Sequence, residues 1–152
     1  MSKRKYEQRT DLEKIRSQWV KLTGLHSREE WSAAIVRCAT AAEIAANFAV
    51  RRELVLKTKL DSGFVDHLLH WANGLDGKVT KLLAPLAKGS KRQNTIQKLR
   101  KNSQHIAEKR NAIVHRGEFC NEAESKAAID KTRDFVETLV WLYEPTFRLE
   151  KK

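Results

Sequence analysis

Hydrophobic residues recur every three or four positions along most of this 152-residue chain, which is the spacing of one face of an α-helix. The first such stretch covers about residues 6–22 and is expected to end at Gly24. The second is expected to begin at Ser27, since Ser27 and Glu30 match a capping box, and to continue to about Leu56.

The middle of the chain has shorter periodic segments separated by turn-forming residues. Asp61–Gly63 is expected to break the chain, and a short helix is predicted over Phe64–Trp71. A turn is predicted over Asn73–Gly77, followed by a helix over Val79–Leu83 that ends at Pro85. A basic loop, 88–92, then precedes the next long helix.

Two long helices are predicted in the second half of the chain. One covers about Asn94 to His115, and the other starts at Asn121, where Glu124 completes a second capping-box pattern, and ends before Pro145. No segment has a convincing strand pattern. The sequence therefore predicts an all-α, up-and-down bundle of about five helices that forms one domain over residues 1–152.

The inward line of the 94–115 helix contains a charged residue. Its members follow a 3, 4, 3, 4, 3 spacing and are Ile96, Leu99, Ser103, Ile106, Arg110 and Ile113. An arginine at such a position is costly unless a carboxylate, a phosphate or a cavity meets it. Glu43 and Asn47, in the alanine-rich second helix, are candidate supporting partners for Arg110. The alternative is that they are an ordinary solvated or capping pair.

Positive charge is concentrated in one part of the chain. The net charge is +11, and residues 88–116 hold nine Lys or Arg against one acid, Glu108. This balance favours a polyanionic partner, although a solvated basic face is the simpler alternative. The candidate cations for binding a nucleic-acid backbone are Lys98, Arg100, Lys101, Lys109 and Arg116.

Several classes of protein and site are disfavoured by composition. Cys38 and Cys120 have neither metal-ligand nor disulfide-framework spacing, and no metal or other cofactor is expected. His67 and His70 lie three apart, but no third ligand accompanies them. The most apolar window, 31–50, contains charged residues and is not expected to span a membrane. No apolar segment follows the basic N-terminus, so we expect a cytoplasmic protein.

Residues 110–117, Arg-Asn-Ala-Ile-Val-His-Arg-Gly, combine an arginine, an amide and a histidine. Arginine binds phosphate bidentately, and histidine is suited to acid–base chemistry near neutral pH. Arg110 and His115 are separated by about 140° on an ideal helix. They are therefore expected to converge only if the helix unwinds before Gly117 or if two copies of the chain meet. The spacing alone is weak evidence, because Arg100 and His105 share it.

Arg110-Asn111-Ala112-Ile113-Val114-His115 resembles the Arg-x(4–6)-His motif of the HEPN superfamily, which often places a polar residue directly after the Arg. The resemblance implies a helical bundle that commonly dimerises and a metal-independent endoribonuclease of toxin or antiphage-defence type. It implies that Arg110 and His115 are catalytic and that Asn111 supports them. It also implies RNA as substrate and a cognate antitoxin as a further partner. HEPN toxins that an antitoxin nucleotidylates typically have a Tyr where this chain has Gly117.

These residues are compatible with a mechanism that needs no metal. A neutral His115 would take a proton from the RNA 2′-OH, and Arg110 would stabilise the charge on the attacked phosphate. Two other functions stay open. One is a non-catalytic helical regulator or adaptor, and the other is a nucleotide- or DNA-binding module that uses the basic face. In either case Arg110 would be a buried partner of an acid such as Glu43, and His115 a favourable cation at a helix C-terminus.

Overall fold

The computed structural model describes residues 4–58, 60–72 and 74–149, and this part of the chain is helical without any strand. The helices are α1 (Asp11–Ser27), α2 (Trp31–Lys57), α3 (Ser62–Trp71), α4 (Leu75–Gly77), α5 (Ala84–Ala87), α6 (Gln93–Arg116) and α7 (Glu122–Trp141). A π-helical segment, Lys78–Leu83, joins α4 to α5. If residues 75–87 are counted as one helical element, the described residues form a bundle of six helices. The prediction of an all-α helical bundle is confirmed.

The central element is α2, which packs against α1, α6 and α7. Its buried face consists largely of alanines, with Ala34, Ala41, Ala42, Ala45, Ala46 and Ala49 fully buried. Small side chains allow neighbouring helices to approach closely. By length and composition alone α2 could cross a membrane, but 61% of its most apolar window is buried inside the bundle. The core therefore accounts for its apolar character.

The boundary between α1 and α2 differs from the prediction. Gly24 lies inside α1, which continues to Ser27, and the Ser27 hydroxyl donates to the carbonyl of Thr23 instead of capping α2. The chain turns at Glu29, whose φ is 64°, and the Glu30 amide donates to the carbonyl of Leu25. This left-handed residue closes the helix end in the way a glycine usually does. A single glycine inside a helix lowers helix stability by only about 1 kcal/mol, and the packing of α1 offsets this cost.

The segment 75–87 is a second departure. The predicted turn Asn73–Gly77 is reduced to Gly74, with φ of 83°, because α4 already includes Gly77; Asn73 itself lies outside the described residues. Pro85 does not end the helical run, which extends to Ala87. The preceding π-helical turn is wider than an α-helical one and leaves room for the proline ring, which would clash in a regular helix.

The two last helices agree with the prediction. α6 spans Gln93–Arg116, and Gly117 follows it with φ of 65°. α7 is capped by Asn121, whose side chain accepts from the Glu124 amide at 2.9 Å, and ends at Trp141. Ile96, Leu99, Ser103 and Ile106 are buried as expected. Arg110 is only half-buried, since the inward line reaches the edge of the bundle there.

Candidate functional site

Arg110, Asn111 and His115 form one hydrogen-bonded group near the exposed end of α6. The Arg110 Nη1 atom lies 3.2 Å from the Asn111 Oδ1 atom and 3.4 Å from the His115 Nε2 atom. A guanidinium can only donate, so this contact is a hydrogen bond when Nε2 is the unprotonated ring nitrogen. The structure thus brings together the three residues that the sequence singled out.

The expectation that Arg110 and His115 cannot meet on one straight helix is wrong. Neither the unwinding of the helix nor a second copy is needed, because α6 stays regular through Arg116 and the contact forms within one chain. The angle of about 140° describes where the side chains leave the helix. The long, flexible arginine side chain bends from the inward line across to the face that carries Asn111 and His115.

A cleft of about 380 Å³ lies on the inner side of Arg110. It is bounded by α2, by the Gly74–Gly77 turn with α4, and by α6. Its charged lining residues are Arg110, Glu43 and Asp76, and Asn111 also lines it. His115 is not part of the lining. Arg110 and Asn111 therefore line a cleft that contains two carboxylates, and Arg110 also contacts His115, which lies outside the cleft.

The two predicted supporting residues do not contact Arg110 in the described part of the chain. Glu43 lines the same cleft, but its carboxylate pairs with the Lys78 ammonium at 2.7 Å. The alternative of an Arg110–Glu43 ion pair is therefore wrong. Asn47 lies one helical turn beyond Glu43, and its Oδ1 is buried without a hydrogen-bond partner. Glu43 is a neighbour of the site, and Asn47 is not brought into it.

Hydrogen bonds hold the end of α6 and the loop that follows it in place. The amides of Gly117 and Glu118 both donate to the carbonyl of Ala112, and the left-handed Gly117 makes this closure possible. Two residues later the Cys120 amide donates to the Ser32 hydroxyl at 3.0 Å. His115 thus lies at a helix end that these hydrogen bonds hold in place.

The predicted backbone-binding cations of α6 are less available than their number suggested. Lys98, Lys101 and Arg116 are exposed. Lys109 pairs with Glu124 at 2.7 Å, and this hydrogen bond raises the pKa of Lys109. Arg100 is half-buried and donates to Gln97. Lys98 and Arg116 leave the helix on one line, about 100° round from His115, but Lys98 is about 25 Å away along the axis. Only Arg116 is therefore next to the group.

Sequence reasoning missed several residues around the site. Lys78, the buried partner of Glu43, has no local signal, because the two residues are 35 positions apart. Val114 and Phe119, near the end of α6, are apolar but exposed. His67 and His70 are both exposed on α3. Among the described residues, no group of three His, Cys, Asp or Glu side chains is arranged to hold a metal ion.

Comparison of this chain with protein-family models, with curated proteins and with solved structures finds no match.

Proposed function

We propose that this protein is a metal-independent endoribonuclease of HEPN type, with Arg110 and His115 as its catalytic residues and Asn111 as a supporting one. The observation that carries the proposal is the Arg110–Asn111–His115 group itself, in which a guanidinium lies within hydrogen-bond distance of an amide oxygen and of an imidazole nitrogen at an exposed helix end. A phosphate-binding cation beside a neutral base is the pair that RNA transesterification requires.

The mechanism follows from competition for the guanidinium. An RNA phosphate binds Arg110 more strongly than an imidazole does, because the hydrogen bonds are charge-assisted and bidentate. Arg110 then turns from His115, and Nε2 is free to accept the proton of the 2′-OH. The 2′-oxygen attacks the adjacent phosphorus, the 5′-oxygen leaves, and a 2′,3′-cyclic phosphate is the product. Arg110 stabilises the charge that develops on the phosphoryl oxygens.

The position of the carboxylates decides on which side of Arg110 the phosphate binds. Glu43 and Asp76 line the inner cleft and repel an anion there, although Lys78 compensates Glu43. The outer side of Arg110, toward His115, holds no carboxylate in direct contact with Arg110 among the described residues. We therefore place the scissile phosphate on the outer side. The carboxylates of the inner cleft remain as acceptors for the N–H groups of a nucleobase.

The proposal includes a homodimer and a cytoplasmic setting, with an antitoxin-like protein as a regulatory partner. A dimer is no longer needed to bring arginine and histidine together. It is supported instead by two exposed apolar side chains close to the site, Val114 and Phe119. A second copy that covers them would place two Arg110–His115 groups at one composite cleft.

The test is cleavage of an RNA substrate in the presence of EDTA. Wild-type protein is expected to cleave and to leave 2′,3′-cyclic phosphate ends, and His115→Ala and Arg110→Ala are expected to lose about 10²–10⁴-fold in rate. His105→Ala is the matched control, because His105 is an exposed histidine of the same helix with an arginine five residues before it. It is expected to leave the rate unchanged.

Cleavage that persists in purified His115→Ala, or that EDTA abolishes, would contradict the proposal. Binding of RNA or of a partner protein without cleavage, and unaffected by His115→Ala, would instead identify the non-catalytic regulator.

A further inference from the structure

A cationic groove lies between α1 and α2, next to the Arg110 cleft. It measures about 400 Å³ and is lined by Val20, Lys21, Gly24, Leu25, Arg28 and Arg37. All of its titratable lining residues are cations. Val36 and Thr40, which flank Arg37 on α2, line the Arg110 cleft. The part of α2 that carries Val36, Arg37 and Thr40, called here the α2 ridge, therefore lies between the groove and the proposed active site.

The groove continues a line of cations along α1. Lys14, Lys21 and Arg28 are seven residues apart, so successive members are only about 20° apart around the helix and the line extends for about 21 Å. Regular spacing over this length matches an extended polyanion better than a small anion, since a nucleic-acid strand carries a charge at every nucleotide.

Tyr6 and Gln18 hold these cations in place. The Lys14 and Lys21 ammonium groups lie 5.5 and 5.7 Å from the centre of the Tyr6 ring. The buried Gln18 donates to the Tyr6 hydroxyl at 2.9 Å and accepts from Arg37 at 3.3 Å. One network thus links both walls of the groove. Side chains that are already ordered lose less entropy when they bind a ligand.

The groove also contains cations that acids do not neutralise. Among the described residues, neither Lys21 nor Arg37 has a carboxylate within salt-bridge distance, whereas Arg28 pairs with Glu30 at 3.3 Å. Asp11, the acid one turn before Lys14, is bound by Arg51. On α6, by contrast, Lys109 and Arg116 both have acidic partners. The exposed Lys98 and Lys101 of α6 likewise have no acidic partner among the described residues, so uncompensated positive charge lies on α1 and α2 as well as on α6.

We propose that the α1–α2 groove binds the phosphodiester backbone of the RNA strand whose cleavage site lies at Arg110 and His115. The identity of the polyanion rests on the proposed function, but the groove itself does not. Lys21 and Arg37 contact phosphates in the groove, and the strand crosses the α2 ridge near Thr40 to reach Arg110.

The experiment measures binding separately from cleavage. A fluorescein-labelled 2′-O-methyl RNA strand cannot be cleaved through its 2′-oxygen, and fluorescence anisotropy gives its affinity over a range of salt concentrations. Lys21→Gln is expected to weaken binding about threefold at low salt and to reduce the slope of log K against log salt concentration by about 0.7. Lys126→Gln, an equal change of charge at an exposed lysine of α7, is expected to match wild type.

Arg37→Gln is the second probe, and its thermal midpoint is measured alongside because Arg37 bonds Gln18. The proposal would be overturned if the Lys21→Gln variant bound the strand with the same affinity and the same salt dependence as the Lys126→Gln variant. Failure of the wild-type protein to bind the strand would also overturn it. If the groove variants weaken binding while Arg110→Ala and His115→Ala still cleave, the catalytic assignment fails and the groove stands. If cleavage depends on Arg110 and His115 but the substitutions at Lys21 and Arg37 leave RNA affinity unchanged, only the proposal that the groove binds RNA is wrong.

Discussion

Glu53 is a fully buried carboxylate that three helices surround. Arg92 donates to both of its oxygens, at 2.5 and 3.2 Å, and the Tyr143 hydroxyl donates at 2.7 Å. Burial acts to raise the pKa of Glu53, but the hydrogen bonds from Arg92 and Tyr143 together outweigh it and hold that pKa below its usual range. The carboxylate therefore stays ionised in the folded protein and ties α2 to the start of α6 and the end of α7.

Glu53→Gln is expected to lower the free energy of unfolding at pH 7 by about 3–5 kcal/mol, because the charge of Arg92 is left without its partner. The folded pKa is depressed, so the contribution is present above the unfolded pKa of about 4.3 and is lost as pH falls through the folded value. Urea denaturation should thus show a difference between wild type and variant that shrinks below about pH 4.

Glu30→Gln is the control for this prediction, since it removes an exposed ion pair with Arg28. It should leave the denaturation midpoint close to that of wild type. A Glu53→Gln protein as stable as the control at pH 7 would mean that the cluster contributes nothing net.

Glu53 and Arg110 differ in whether their structural role could be predicted from the sequence. Arg110 interrupts a periodic apolar line, and this local signal pointed to the site. Glu53 gave no such signal, because its partners lie 39 and 90 positions away. The Arg110–His115 contact was missed for another reason. Helical angles describe the backbone, whereas the conformation of a long side chain depends on its surroundings.

At the scale of the helix, Gly117 ends α6 in a left-handed conformation that a side chain disfavours. An added Cβ would meet no atom within 4 Å, so Gly117→Ala carries only a conformational cost. We expect it to lower the free energy of unfolding by about 1–2 kcal/mol. The last turn should also fray, which displaces His115 and lowers the RNA cleavage rate.

Gly77→Ala is the matched control for Gly117→Ala. Gly77 is helical, with φ of −60°, and its Cβ would also have free space. Alanine there should stabilise the protein by up to about 1 kcal/mol. Chemical denaturation measures the free energy of unfolding of both variants. Equal changes at the two positions would exclude the left-handed conformation of Gly117 as the cause.

The ends of the helices also indicate how far the sequence determines each element. Gly117 and Asn121 were predicted correctly because each end has a residue with a specific backbone or capping role. Gly24, Ser27 and Pro85 were misleading. A glycine or a proline only adds a cost to the helix, and tertiary packing or a local π-helical turn can offset it. Glu29, which closes α1, is not a residue that composition rules select for a left-handed turn.

At the scale of the whole molecule, the distribution of charge along the chain differs from its distribution over the folded surface. The sequence concentrates cations in residues 88–116, yet folding brings Glu124 of α7 next to Lys109, and Glu118 of the loop before α7 pairs with Arg116. Folding also assembles Lys21 and Arg37 from two helices into one groove. The seven-residue spacing of Lys14, Lys21 and Arg28 could be found in the sequence, but the joining of that line to α2 could not. Electrostatic function is therefore a property of the packed surface.

The proposed homodimer depends on the apolar surface beside the site. Phe119 is 95% exposed and Val114 46%, although the loop that carries Phe119 is anchored through Cys120 to Ser32. An ordered loop that holds a phenylalanine in solvent is explained if a second copy covers it. Phe119→Ser is then expected to raise the dimer dissociation constant at least about tenfold, since a buried aromatic contact is typically worth more than about 1.4 kcal/mol.

Light scattering at micromolar concentration measures this change, and Trp71→Ser on α3 is the control. Trp71 is 70% exposed and lies on another helix, so its loss should leave the dimer intact. A wild-type monomer, or a Phe119→Ser dimer as tight as the Trp71→Ser one, would exclude this interface. Because the Arg110–His115 contact forms within one chain, a monomer that still cleaves RNA would remove the dimer from the mechanism and leave the catalytic residues in place.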